Sequence, residues 1–83
     1  MSEPGQMSFL TFLQGMGSQG LMQLGMIPHP ITGQREANPG YARATLRVLE
    51  LLQEKTQGNL SDEERTYLDG VITGMRQHIA RLG

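Results

Sequence analysis

Eighty-three residues with a net charge of −1, two His and no Cys point to one small helical or mixed domain without disulfides, thiolate zinc or a His-rich metal cluster. Near-neutral charge argues against a nucleic-acid binder, whose domains usually show a basic face. A chain this short buries a low fraction of its surface, so association with a further chain is the expected supplement.

Between Glu3 and Arg35 there is no Asp, Glu, Lys or Arg. The opening MSEPGQ has no Lys or Arg before the apolar run, so a secretory leader is not expected, and residues 1–7 read as a flexible tail. Gln14, Ser18, Gln19 and Gln23 interrupt the apolar stretch, so a transmembrane span is not expected. A helix is expected over about 8–25, with Ser8 as N-cap and Gly25 as the left-handed residue past its end. Phe9, Phe12, Leu13, Met16, Leu24 and Ile27 share one face around Gly20. The opposite face (Thr11, Gln14, Gly15, Ser18, Met22, Met26) is small and neutral and reads as a second packing surface. Gly15, Gly17 and Gly20 each lower helix stability by about 1 kcal/mol relative to Ala, which suggests close approach by another helix. Met16, Met22 and Met26 serve either as core filling or as an adaptable partner groove.

Residues 26–37 form a Pro/Gly-containing loop, stiffened by Pro28 and Pro30, with Ile27 and Ile31 expected to anchor it to the core and a turn at Thr32-Gly33. A second helix over about 38–57 starts at Asn38-Pro39, an N-cap followed by Pro at the first helical position, and stops at Gly58. Tyr41, Thr45, Val48, Leu49, Leu52 and Thr56 make one face, widened by Ala44, Leu46 and Leu51. Only a narrow arc of Arg43, Arg47, Glu50 and Glu54 is charged, so this helix is expected at the centre of the domain. A third helix over about 61–82 opens with Ser61-Asp-Glu-Glu64, a capping box. Leu68, Val71, Ile72, Met75, Ile79 and Leu82 then form its apolar stripe. Gly70 and Gly74 are weak evidence for close packing. The short Gly58-Asn-Leu60 link predicts an antiparallel hairpin of helices two and three, with helix one packed across it. The fold class is therefore all-α, a single helical domain over 1–83.

The segments Leu21-Met-Gln-Leu-Gly-Met-Ile-Pro-His-Pro-Ile-Thr-Gly33 and Leu46 to Leu60, with Arg47-Val-Leu-Glu-Leu-Leu-Gln-Glu-Lys-Thr-Gln-Gly-Asn59 inside it, carry a resemblance. The chain is similar, from about Phe9 to Ile79, to a family of short bacterial proteins catalogued as domain of unknown function eighteen forty-four. The resemblance implies an all-helical bacterial protein of the cytoplasm and brings no activity with it. His29 stands where that pattern suggests Asn or Asp, Gly17 and Gly20 where it suggests Ala, and Gly70 and Gly74 where it suggests larger residues.

Site chemistry is not evident in the sequence. His29, His78 and Glu36 would make a metal site only if the fold brought them together, and a catalytic metal usually takes three protein ligands. Ser8, Ser18 and Ser61 lack a nucleophile context, and Asp62, Glu63 and Glu64 are explained by a helix start. Gly15-Met-Gly17 lies within a helical pattern, not after a strand. Arg43, Arg47, Arg76 and Arg81 are interleaved with Glu50, Glu54 and Asp69, the pattern of an ordinary solvated face. No catalytic, cofactor or metal residue is assigned. The expected role is a non-enzymatic, homo-oligomeric interaction or adaptor module, a dimer in the first instance, with room for an unidentified protein partner. Its candidate interface is Phe9, Phe12, Leu13, Met16, Gly17, Gly20 and Leu24, a face that either the intrachain core or a second copy would cover. The alternatives are a peripheral membrane role for helix one, disfavoured because that helix lacks Lys and Arg, and a ligand or enzymatic role at the His29 loop.

Overall fold

The computed structural model describes residues 8–82, so the tail expected over 1–7 lies outside the described residues. Three α-helices, α1 (Phe9–Gln23), α2 (Pro39–Lys55) and α3 (Asp62–Leu82), each pack against the other two. No strand is present among the described residues, only an isolated bridge between Leu24 and Ala37. Each helix begins where a side chain satisfies an amide that the first turn leaves free. Ser8 Oγ accepts from the Thr11 amide, and Asn38 Oδ1 accepts from the Tyr41 amide ahead of Pro39. At α3 the capping box closes in both directions: Ser61 Oγ accepts from the Glu64 amide at 3.1 Å and Glu64 Oε1 from the Ser61 amide at 2.8 Å.

The helix ends differ slightly from expectation. Leu24 caps α1 and Gly25 follows at φ 77°. A side chain at Gly25 would also meet the Ala37 amide nitrogen at 3.1 Å, so glycine is required there both for backbone conformation and for space. Helix α2 stops at Lys55, short of Gln57, because Thr56 takes the cap position and its hydroxyl donates to the Leu52 carbonyl.

Cross-links between helices define the topology. Gln53 donates to Asp69, and Arg76 donates to Glu50, so rising numbers on α2 meet falling numbers on α3. The two form the antiparallel hairpin. Gly17 of α1 faces Tyr67 and Val71, and Gly20 faces Met75, so α1 runs in the same sense as α3. Leu13, Leu24, Ala42, Leu49, Leu68, Ile72 and Met75 form the buried core. Burial of each large side chain there contributes roughly 1.5–3 kcal/mol. Thr45 is the one buried polar residue named with this core, and its hydroxyl donates to Gln23 Oε1 at 2.5 Å.

Two packing expectations are corrected. Helix α2 is not central: it buries only Ala42, Thr45 and Leu49, and leaves Tyr41, Val48 and Leu51 in solvent. In a three-helix bundle one side of each helix points inward, whatever the width of its apolar arc. Ile27 and Ile31 do not anchor the loop; Ile31 is 87% exposed. Backbone bonds hold it instead, from the Asn38 amide to the Gln23 carbonyl and from the His29 amide to the Gln34 carbonyl. The Thr32-Gly33 turn is present, with the Gly33 amide bonded to the His29 carbonyl.

Candidate functional site

The glycines of α1 divide into two kinds. A Cβ at Gly20 would lie 2.8 Å from Met75 Sδ, and one at Gly17 would overlap the Tyr67 hydroxyl and meet Val71 Cγ2 at 3.3 Å. Both are notches that receive α3 side chains. Gly15 faces open space. Of the candidate interface, Leu13, Gly17, Gly20 and Leu24 are thus covered by the chain's own α2 and α3. Phe9 and Met16 are half-buried at the core's edge, and Phe12 is 39% exposed. Phe9 and Phe12 stack with ring centroids 6.0 Å apart.

Phe12 does not stand alone. The Thr45–Gln23 bond marks the side of α2 that meets α1, and Glu50 and Gln53 mark the side that meets α3. At about 100° per residue, Tyr41, Ala44, Val48 and Leu51 fall on the α1 flank of α2, beyond Thr45. The placement of Tyr41 in one cleft with Gln19, Met22 and Gln23 agrees. Tyr41 is 66% exposed, Val48 43% and Leu51 39%. Beside them α1 presents Phe12, Met16 and Gln19, again without an ionisable group. An apolar surface therefore spans two helices, with Glu36 beside Tyr41 at one end and Lys55 one turn beyond Leu51 at the other, and sequence reasoning assigned only its α1 half. The 3–4–3 spacing of Tyr41, Ala44, Val48 and Leu51 was the signal for the rest, absorbed into an overly wide core face.

Arg43, Arg47, Glu50 and Glu54 gather on the other flank of α2, while Lys55 ends the Val48–Leu51 stripe. Arg76 donates to Glu50 Oε2 from Nη2 at 2.7 Å, while Arg47 lies 3.9 Å from the same carboxylate. Arg76 is thereby neutralised and the four arginines do not form a basic patch.

His29 and His78 are not brought together. His29 Nδ1 accepts from the Ile31 amide and its ring lines a cleft of about 400 Å³ with Gln34, Glu36 and Tyr41. His78 lines a groove between α1 and α3. Among the described residues no three His, Cys, Asp or Glu side chains are grouped to hold a metal ion. No helix among them is long and apolar enough to cross a membrane.

Fold and surface together define a small three-helix protein with an apolar flank. The family model described as Domain of unknown function (DUF1844) matches residues 6–79, and the chain belongs to that family. No curated protein and no solved structure matches it.

Proposed function

We propose that this chain is a non-enzymatic association module that pairs with a second copy of itself through the apolar surface of α1 and α2. The observation that carries this reading is the exposure of Phe12 on α1 and of Tyr41, Val48 and Leu51 along the adjacent flank of α2. Contiguous apolar surface of this kind marks interaction sites. The engagement of Ser8 and Ser61 as helix caps supports the non-enzymatic part. A membrane-surface role has less support, because the most apolar arc of α1, around Leu13 and Leu24, is turned inward. The cytoplasm is the compartment that suits a chain without Cys.

Sedimentation equilibrium at micromolar concentration tests the reading. The wild-type chain is expected to exceed the mass of one copy, and Phe12→Asp and Val48→Asp to lower that mass while the far-ultraviolet helical signal is kept. A folded, single-chain wild type would refute it.

A further inference from the structure

We infer that α3 carries a second self-association face, on which α3 of one copy packs antiparallel against α3 of another, centred between Gly70 and Gly74. This goes beyond the α1–α2 pairing and rests on different residues.

The two glycines have no explanation within the chain. Neither has a positive φ, and a Cβ at either would meet nothing within 4 Å. Glycine lowers helix propensity, and Gly17 and Gly20 on α1 offset that by receiving Tyr67 and Met75. Gly70 and Gly74 instead floor an apolar groove of about 420 Å³, walled by Leu21, Tyr67 and Val71. They leave α3 open to close approach by another helix.

Charge register identifies the occupant as a second copy. Gly70 and Gly74 lie two residues to either side of Ile72, and Glu63 and Arg81 lie nine to either side of it. Glu63 and Arg81 are separated by five full turns, about 27 Å, so they share one meridian of the helix, and the midpoint of the two glycines falls on that same meridian. A two-fold axis at the level of Ile72 therefore sets each copy's Glu63 beside the other's Arg81. The alignment requires a shallow crossing. At about 20° the axes diverge sideways by only ~5 Å at the level of these charges, within reach of both side chains; at about 50° they diverge by ~11 Å. Both residues are exposed, and among the described residues neither takes part in an ion pair. Between them this flank carries Thr66, Tyr67, Gln77 and His78, while Asp69 and Arg76 point to α2. Two distinct isologous faces on one chain, with their two-fold axes crossing at right angles, close into a tetramer with dihedral symmetry.

Charge exchange is the test, read as mass in sedimentation equilibrium. The wild-type chain is expected as a tetramer. Glu63→Arg alone and Arg81→Glu alone should halve its mass, and the two together should restore it. The exchange opposes the helix dipole at both ends of α3, so recovery would not come from a better helix. Gly70→Leu should also halve the mass while keeping the helical signal, since its side chain enters open space within one copy. Unchanged mass in the single charge variants, or no recovery in the double, would overturn the inference. The two faces separate cleanly. A wild-type dimer broken by Glu63→Arg but not by Phe12→Asp would keep the α3 face and remove the α1–α2 face. The reverse pattern would remove the α3 face.

Discussion

Replacing Gly20 by Leu should destabilise the fold itself, whatever the assembly state. Gly20 is buried, and an added Cβ lies 2.8 Å from Met75 Sδ and 2.9 Å from its Cε, with Thr45 Cγ2 at 3.7 Å on the other side. Met75 is 2% exposed, so its thioether has room to move only toward the groove between α1 and α3 that it lines. Three further carbons beyond Cβ make this overpacking of the upper kind, about 3 kcal/mol. The gain in helix propensity from removing a glycine returns about 1 kcal/mol. The net loss of ~2 kcal/mol corresponds to a melting temperature lower by roughly 8–16 °C for a domain of this size. Gly15→Ala is the internal control: it sits on the same helix with nothing near its Cβ, and should raise the melting temperature by about 4–8 °C. Thermal melts by circular dichroism at one fixed protein concentration would measure both, since association shifts the apparent midpoint. If Gly20→Leu melts at or above the wild-type temperature, α3 does not pack into the Gly20 notch and the α1–α3 contact is wrong.

Gly17→Ala should lose less, because the Tyr67 hydroxyl it displaces ends a half-buried side chain at the groove edge. Adding Tyr67→Phe should recover part of that loss, and a double-mutant cycle of denaturant midpoints should show the coupling. Ser61→Ala removes the acceptor for the Glu64 amide and should lower stability by about 1 kcal/mol in urea unfolding. Thr45→Val removes the donor to Gln23 in the core and should lower stability by roughly 1 kcal/mol; an equal or higher urea midpoint would mean that bond contributes nothing.

How the fold was legible differs from one feature to the next. The all-α class and the three helices follow from local rules, because caps and breakers act within four residues. Ser8, Asn38-Pro39 and the Ser61–Glu64 box each start a helix where they stand, and Gly25 takes the left-handed turn that its position called for. The tight link after α2 makes the hairpin for the same reason. Packing is not local. A helical wheel sets Gly20 within the apolar face of α1 and Gly15 opposite it, but that α3 supplies the side chains filling the Gly17 and Gly20 notches, and that Gly74 faces open space, follows only from how the helices pack. Likewise Leu49 and Leu51 are equally apolar, yet one is wholly buried and the other 39% exposed.

The surface was half legible. An uncharged α1 is plain from composition, and Phe12 on it is exposed. Its continuation across Tyr41, Val48 and Leu51 depends on which flank of α2 lies against α1, and the Thr45–Gln23 bond, between residues 22 apart in sequence, is what decides that. The sequence by itself determined where helices begin and end and which helix lacks charge, since those are properties of neighbouring residues. Only the tertiary structure decided which apolar side chains face inward, because three helices around one core bury a single side of each and leave the remainder to water or to another chain.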